Sequence, residues 1–425
     1  MIDIKVIREN PEIFKTACKV KKISADIDRL LKVDAQLLDA KKQLQDISTE
    51  KNSIGKSIPK LAGDEKQNAL NRLSQLKETE SQLTELVKKL QPQFDAIMQQ
   101  APQPPDPDVP VGEDDTENVE IRREGQVRQF DFEPKDHIQL GLALDIIDVE
   151  RGVKLSGSRN YFLKGDGALL HWAVLRFAVD YMVSKGYLPM AVPLLMKDEA
   201  MRGTGYFPGS EEQTYQMERD QLSLAGTAEV PVTAYYMGEI LTEEELPKKY
   251  VAMSSCFRRE AGAAGKDTYG LYRIHQFDKV EQVIIGENSI DKSKAYHAEI
   301  LGNSEAVMKA LGLPYRVVNV CSGDLGRGQA QKFDIEAWMP SRKNYCETHS
   351  ASRFYDFQAR RMNLRYKEKE TKKNTFCHTL NNTVIASPRI LIPLLELYQN
   401  KDGSITIPDV LRIYMNGREK IEKKA

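Results

Sequence analysis

The first quarter of the chain has a helical pattern of apolar positions that differs from everything after it. Between residues 26 and 98, apolar or small side chains recur at alternating steps of three and four, in two series separated by SIPKLAGDE. The series are Leu30, Val33, Leu37, Ala40, Leu44, Ile47, Ile54, Ile58 and then Leu73, Leu76, Leu83, Val87, Leu90, Phe94, Ile97. Lys51 interrupts the first series and Glu80 the second. The pattern predicts an antiparallel helical hairpin, each helix roughly 50 Å long.

Such a hairpin is too narrow to enclose an active site. It is typical of a coiled coil that dimerises or spaces domains, and it also suits an arm that reaches for a ligand. Lysines outnumber acids along its first helix, with Lys41, Lys42, Lys51, Lys56 and Lys60 against Asp46 and Glu50. Contact with a polyanion backbone is therefore the alternative interpretation.

Periodicity changes after residue 100. The stretch 101–120, APQPPDPDVPVGEDDTENVE, is rich in proline and acids and predicts an extended, solvated linker. From Ile121 onward, helical patterns cover 166–186, 289–312 and 388–400, and β-rich patterns cover 250–259, 270–286, 315–321 and 332–338. Because several strands follow one another without a helix between them, we expect an α+β domain built on an antiparallel sheet.

Composition restricts the class of protein. The chain has 425 residues, 41% of them hydrophobic and 29% charged, with a net charge of −1. A polyanion must therefore meet a local basic patch. Five scattered cysteines with no C-x-x-C predict reduced thiols and no zinc site. No apolar run approaches about 18 residues, so we expect a soluble cytoplasmic protein without a membrane partner.

The densest candidate chemistry lies in Phe257–Glu281, which predicts a strand, a loop (AGAAGKD) and a second strand. Alternate residues of a strand share a face, which would align Arg273, His275, Phe277, Lys279 and Glu281. Cations, an aromatic ring and a carboxylate suit a ligand with phosphates, a flat base and an ammonium group. The alternative is a solvated hairpin with cross-strand ion pairs.

Further segments resemble a known family. They are GYLPMAVPLLMKDEAMRGTGYFP (186–208), LAGTAEVP (224–231), DIEAWMPSRKNYCETHSASRFYDFQARRMNLRYK (334–367) and LNNTVIASPRILIPLLELYQ (380–399). With the hairpin, they resemble the bacterial type of seryl-tRNA synthetase, a class II aminoacyl-tRNA synthetase. The resemblance assigns motif 1 to about 171–193, motif 2 to 253–281 and motif 3 to 380–399. It implies a tRNA-binding domain over 1–100, the linker over 101–120, and a catalytic domain over 121–425 whose antiparallel sheet is flanked by helices.

The resemblance also implies a reaction and its partners. Serine and ATP would form seryl-adenylate, and the seryl group would pass to the 3′ end of tRNA(Ser), and of tRNA(Sec) as well. Mg²⁺ would accompany ATP, and motif 1 would form a homodimer. Two alternatives stay open at this point: a paralogue that loads a carrier protein, which the hairpin argues against, and a non-catalytic binding protein.

Site residues follow from the matched motifs. The catalytic set would be Arg258, Glu260, Arg273 and Arg389. The serine site would comprise Thr227, Ala228, Glu229, Glu281 and Thr383. ATP would contact Arg258, Arg259, Glu260, Arg273, Ile274, Phe277, Glu347, Thr348, His349, Ser350 and Arg389. Glu347 and Ser350 would hold Mg²⁺.

Departures from the family pattern concern two segments. ETHSAS replaces the common E-x-S-S-C-S, which makes His349 unusual, either as a tolerated neighbour of the metal site or as an altered nucleotide contact. Motif 3 reads NNTVIASPR, where NGSGLAVGR is commoner. Outside the site, Trp172 and Phe177 are predicted to lie in the core.

Overall fold

The computed structural model describes residues 1–261 and 269–423, and it divides the chain into two compact units. One unit is Ile2–Pro102, and the other is Gln103–Ala425 together with Met1. The first unit is helical, with α1 (Ile4–Glu9), α2 (Pro11–Val20), α3 (Ile27–Ser57) and α4 (Gly63–Gln100). No helix among the described residues has both the length and the apolarity needed to cross a lipid bilayer.

The two long helices form the predicted antiparallel hairpin. Val33 and Leu37 of α3 are buried with Leu90 of α4. The two polar interruptions of the apolar series meet, since Lys51 Nζ lies 2.6 Å from a Glu80 carboxylate oxygen. The ion pair agrees with this register of α3 against α4, because an axial slip would separate the two charges.

The second unit is built on an eight-stranded sheet, which confirms the predicted α+β class. Its strands are β1 (Val119–Glu124), β2 (Leu188–Met190), β3 (Lys248–Phe257), β4 (Gln276–Gly286), β5 (Tyr315–Asn319), β6 (Gln331–Met339), β7 (Asn344–Tyr355) and β8 (His378–Ser387). Their order is β1-β5-β6-β7-β8-β4-β3-β2. Every neighbouring pair is antiparallel except β2 and β3.

Helices cover one face of this sheet and bury its apolar side chains. The helices of the unit are α5 (His137–Ala143), α6 (Val149–Ser156), α7 (Asp166–Ser184), α8 (Asp198–Thr204), α9 (Glu229–Thr233), α10 (Ile290–Ala310), α11 (Phe357–Met362), α12 (Leu391–Leu397) and α13 (Asp409–Arg412). Val174 of α7 and Ile300 of α10 join Val384 and Ile385 of β8 in the main core cluster. The helical patterns predicted for the second unit therefore correspond to α7, α10 and α12.

Short strands form four small sheets beside the large one. They pair Ile147–Asp148 with Phe162–Leu163, Leu222–Leu224 with Leu195–Lys197 and Gln216–Met217, Arg365–Lys367 with Ile240–Thr242 and Asn374–Phe376, and Ile405–Thr406 with Lys420–Ile421.

The second strand of the 257–281 segment is shorter than predicted. β4 begins at Gln276, so Arg273 and His275 lie in the preceding loop and do not share its alternation. The His275 ring instead bonds the backbone, with Nδ1 2.9 Å from the Arg258 carbonyl oxygen. Of the predicted loop AGAAGKD, all but Ala261 lies outside the described residues.

The segment 101–120, predicted to be an extended, solvated linker, is mostly exposed or half-buried, but it also makes contacts with the sheet. The Asp106 N–H donates to the Ala330 carbonyl, and the Asp106 carboxylate pairs with the buried Arg353. Val109 packs in a small core with Val318. The segment therefore combines exposed residues with specific contacts to the sheet, which composition cannot show.

Trp172 is also not in the core, contrary to prediction. Its side chain on α7 is 62% exposed, and that of Met253, which lines the same cavity, is 51% exposed. Trp172 and Met253 line one shallow cavity with Val192, beside the edge strand β2. Phe177, on the same helix, does pack against the main core.

A buried carboxylate joins several elements that surround the sheet. Glu396 of α12 accepts hydrogen bonds from the backbone and side chain of Ser341 and from His137 N–H and Nδ1 of α5. His137 Nε2 in turn accepts from the Leu271 N–H at 3.2 Å. Because Nε2 accepts, Nδ1 carries the proton and donates to Glu396.

Glu396→Gln should therefore destabilise the fold. The amide would turn a donor toward at least one of the N–H groups that now donate to the carboxylate, at a cost of about 2–4 kcal/mol. Chemical denaturation measures the free energy of unfolding. The exposed Glu419→Gln is the control, and equal unfolding free energies for both variants would contradict the anchoring role.

Candidate active site

A cavity of about 220 Å³ lies over the face of the sheet that β4, β7 and β8 share. Its strand residues are the alternating positions of each strand, namely Phe277, Lys279 and Glu281 of β4, Thr348, Ser350 and Ser352 of β7, and Asn381 and Thr383 of β8. Glu347 of β7 and Ala386 of β8, which lie outside that alternation, also line it, as do the loop and helix residues Tyr206, Glu229, Arg258, Glu260, Leu271, Tyr272, Ile274, Gln329 and Arg389. We call it the inner cavity.

One end of the inner cavity carries paired carboxylates. Glu281 is buried beside Lys279, with which it forms an ion pair, and it lies opposite Thr383 in the β4–β8 ladder. Glu229, the first residue of α9, accepts from Gln358 Nε2 at 2.8 Å and from the Tyr206 hydroxyl at 3.4 Å. Two carboxylates and a hydroxyl therefore face one small space, which suits an ammonium and a hydroxyl group.

The two carboxylates affect each other. Burial raises the pKa of Glu229 to about 7, and the Glu281 carboxylate raises it as well. The hydrogen bonds from Gln358 and Tyr206 and the charge of Lys279 act in the opposite direction. Glu229 is therefore partly protonated near neutral pH, and a cationic ligand beside it would favour the ionised form.

In the middle of the inner cavity, a cationic side chain lies over an aromatic ring. The Arg258 guanidinium lies 5.2 Å from the Phe277 ring centroid, and its Nε is 3.4 Å from the Gly226 carbonyl oxygen. Ile274 contributes an apolar wall beside the ring. Glu260 forms an ion pair with Arg273. A flat base and an anion can therefore bind side by side here.

A second, wider cavity of about 800 Å³ adjoins the first and shares Arg258, Glu260, Tyr272, Glu347 and Arg389 with it. We call it the outer cavity. The guanidinium groups of Arg342 and Arg389 both lie over the Tyr272 ring, at 4.0 and 4.6 Å. With Arg273, they place three guanidinium groups at the outer cavity, whose planar donors match phosphate oxygens.

Glu347 and Ser350, predicted to hold Mg²⁺, both line the inner cavity. Although burial raises the pKa of Glu347, the charges of Arg389, Lys332 and Arg258 keep it below its usual value, so the carboxylate is ionised. A carboxylate and a hydroxyl are oxygen donors that Mg²⁺ accepts when nucleotide phosphates supply further ligands. Among the described residues, no group of three or more His, Cys, Asp or Glu side chains could hold a metal alone.

The structure brings most predicted site residues into the two cavities, but not all. Thr227 and Ala228 are buried behind Glu229, whose N–H donates to Thr227 Oγ1 at 3.2 Å. Arg259 is exposed, and its N–H donates to the Gln213 carbonyl.

His349 does not reach the cavity either, contrary to its prediction as an ATP contact. Its neighbours Thr348 and Ser350 point to the site, so its own ring lies on the opposite face of β7. Burial lowers its pKa to about 4, which keeps the imidazole neutral. Nε2 lies 3.0 Å from the Val384 carbonyl oxygen and Nδ1 lies 2.8 Å from the Thr348 hydroxyl.

Sequence reasoning assigned no role to several lining residues. Lys279 lies on the face that strand alternation predicts, and Asn381 lies within motif 3, so both carried a usable signal. Tyr206 and Gln329 come from loops that fold against the site, and no local pattern distinguishes them.

Comparison with known proteins agrees with this geometry. The model of the tRNA synthetase class II core domain (G, H, P, S and T) matches residues 213–398, and the seryl-tRNA synthetase N-terminal domain matches residues 1–105. The serine–tRNA ligase of Deinococcus radiodurans is 44% identical, with 99% of this chain and 98% of the relative covered. That of Dictyoglomus thermophilum is 41% identical, with both chains fully covered.

Solved structures give the same result. Seryl-tRNA synthetase from Pyrococcus horikoshii, complexed with ATP, superposes with a TM-score of 0.95 at 36% identity, and both chains are covered completely. The cytoplasmic serine–tRNA ligase of Naegleria fowleri, in complex with AMP, gives 0.89 at 32% identity over 100% of this chain and 99% of that one. Neither the carrier-loading nor the non-catalytic alternative is favoured. The chain belongs to the seryl-tRNA synthetase family of class II enzymes, and its activity is the ligation of serine to tRNA.

Proposed function

We propose that the inner cavity forms seryl-adenylate from L-serine and ATP, and that the seryl group then passes to the 3′ end of tRNA(Ser). The observation that carries this proposal is the close arrangement of Glu229, Glu281 and the Arg258–Phe277 pair in one cavity. A site for an amino acid and a site for a nucleotide thus share a wall. Holding carboxylate and α-phosphate in line supplies most of the catalysis that such a step needs.

Each nucleotide contact has a matching group. Arg258 would bridge the serine carboxylate and the α-phosphate, and Phe277 would stack on the adenine. Glu260, which reaches both cavities, would accept from the adenine amino group. Arg273 and Arg389 line the outer cavity and would hold the outer phosphates.

Serine would be selected by its two polar groups. Glu281 would accept a hydrogen bond from the hydroxyl beside Thr383, and Glu229 would face the ammonium. Thr227 and Ala228 would act from behind, since they fix the first turn of α9 and thereby Glu229. An analogue without the hydroxyl would leave buried Glu281 without its partner, and threonine would be too large.

Glu347 and Ser350 would hold Mg²⁺ on the ATP phosphates. The ion would neutralise charge on the departing pyrophosphate when bound. Two side chains would assist the ion. Arg258 would orient the α-phosphate, and the charge of Arg389 favours the ionised form of Glu347.

We propose that the hairpin of α3 and α4 recognises tRNA(Ser), and tRNA(Sec) also, by shape and backbone, because A-form grooves hide base edges. The protein would act in the cytoplasm. We further propose a homodimer through motif 1. The exposed Trp172 and Met253 support it, since both line one cavity beside the edge strand β2 and exposed large apolar side chains there mark an interaction surface.

Serine-dependent exchange of pyrophosphate into ATP tests the enzyme directly. We expect exchange by the full chain and by a variant in which residues 27–100 are replaced by a short linker. Only the full chain should charge tRNA(Ser), because the shortened one lacks the proposed tRNA contact. Absence of exchange would reject the proposed site, and normal charging without the hairpin would reject its role.

Glu281→Ala should raise the serine KM by about 100-fold while the ATP KM changes less than about threefold, because only serine loses a partner. Glu281→Gln, which keeps the shape of the side chain, should show the same selectivity. Glu287→Ala, just beyond the end of β4, is the matched control. Equal rises in both KM values would contradict the assignment.

Serine binding should weaken on acidification. The pKa of Glu229 is raised to about 7, so the carboxyl is increasingly protonated below that pH and loses its attraction for the serine ammonium. We expect kcat/KM for serine to fall as pH decreases from 8 to 6, with a much smaller change in the ATP KM. Glu229→Gln should lower kcat/KM and remove this pH dependence; a variant that retains the same profile would contradict the role.

A further inference from the structure

The ladder between β7 and β8 stops inside the active site. The two strands pair from Tyr355–Thr379 to Ala351–Asn382, and beyond that point β7 continues beside β6 alone. We call residues 348–351 of β7 and 382–385 of β8 the strand fork. Backbone groups that a continuing ladder would pair need other partners here, because the fork is buried.

A β-bulge in β8 lies in the same fork. Val280 faces Ile385 across the β4–β8 ladder and Glu281 faces Thr383, which leaves Val384 as the extra residue. Val384 and Ile385 consequently both enter the core, and Ala386 instead of Ile385 lines the inner cavity. The bulge therefore determines which way Thr383 points, as bulges near active sites commonly do.

Three buried side chains bond carbonyl oxygens of the fork. Ser304 Oγ of α10 donates to the Thr383 carbonyl at 2.7 Å, and His349 Nε2 lies 3.0 Å from the Val384 carbonyl. His297 Nε2, also on α10, lies 3.0 Å from the Ala351 carbonyl. A carbonyl oxygen only accepts, so each Nε2 carries the proton. Both carbonyls of the bulge thus receive a side-chain donor.

The hydroxyl of Ser304 has no freedom to turn away. It accepts from the side-chain amides of Asn382 at 2.8 Å and Gln282 at 3.2 Å while it donates to Thr383. Both amides also donate to the Ile300 carbonyl. Removing the hydroxyl would leave each amide bonded to the Ile300 carbonyl through one N–H, but it would deprive each amide of one acceptor and the Thr383 carbonyl of its side-chain donor.

We propose that Ser304 and His349 are positioning residues that hold the bulge of β8 and thereby set serine selectivity from behind the sheet. The inference rests on the proposed contact of Thr383 and Glu281 with serine. Neither residue touches substrate. Ser304 donates to the carbonyl of Thr383 and so holds that residue in place. His349 links β7, the strand that carries Glu347 and Ser350, to the Val384 carbonyl of β8. Loosening either bond lets Thr383 move relative to Glu281.

The test compares two serines of one helix. Ser304→Ala and Ser293→Ala each delete a hydroxyl from a fully buried serine of α10, and among the described residues Ser293 Oγ has no hydrogen-bond partner. In serine-dependent pyrophosphate exchange, Ser304→Ala should raise the serine KM about tenfold and raise threonine activation relative to serine by a similar factor. Its ATP KM should stay within about threefold, and Ser293→Ala should match the unsubstituted enzyme.

His349 is tested with a donor-keeping replacement. His349→Leu removes the bond to Val384 and should reproduce the serine-selective effect of Ser304→Ala. His349→Gln keeps an N–H donor on a side chain of similar reach, so it should recover most of the serine KM. Thermal melting of all variants separates loss of selectivity from loss of fold, since a merely structural role would lower the melting temperature and leave the KM ratio unchanged.

The outcomes distinguish the fork from the site. If Thr383→Val raises the serine KM but Ser304→Ala and His349→Leu do not, the fork inference is wrong and the proposed serine site stands. If Thr383→Val leaves the serine KM unchanged, or the unsubstituted enzyme shows no exchange, the proposed site itself fails and the inference fails with it. A selective rise in all three, with recovery in His349→Gln, supports the inference.

Discussion

The central sheet has to keep polar side chains on both of its faces, and much of the second unit follows from that constraint. Antiparallel strands usually bury one face and expose the other to water. Here β4 and β8 turn Glu281 and Thr383 toward the ligand cavity and turn their neighbours Gln282 and Asn382 into the protein. Polar groups on the inner face need partners, which α10 supplies through Ser304 and the Ile300 carbonyl. The polar residues on the buried face of the sheet thus support the residues on the opposite face, which line the inner cavity.

Charge in the site is arranged in pairs before any ligand arrives. Glu281 is beside Lys279, Glu260 beside Arg273, and Glu347 near Arg389 and Lys332. A buried charge without a partner costs several kcal/mol. A site of this kind is therefore stable without ligands only when its cations and carboxylates pair with one another. When a ligand binds, these side chains exchange their protein partners for groups of the ligand, so the protein reorganises little.

The sequence predicted the architecture, and most of the residues it named for the site line the two cavities. The predictions that failed have physical reasons. Strand alternation correctly placed Phe277, Lys279 and Glu281 on one face, which lines the inner cavity. The prediction extended the strand too far, to Arg273 and His275, because the sequence of a charged loop resembles that of a charged strand. Trp172 was assigned to the core because a large apolar residue on a helix carries the same signal whether its side chain is buried or exposed.

The remaining errors concern tertiary partners and bulges. Composition could not show that Asp106 pairs with Arg353, because the two residues are distant in sequence. Glu347 and Thr348 are consecutive yet both line the cavity, which a bulge opposite Ile335 and Glu336 allows. The same strand sends His349 inward, where a motif comparison cannot place it. In the helical unit, the positions of Lys51 and Glu80 bear on the length of the hairpin. Residues inserted between them in sequence, on the loop side, leave the two side chains opposite each other. Residues inserted before Lys51 or after Glu80 keep them opposite each other only when both helices gain the same length. Variation in the length of the hairpin is thereby directed to its tip.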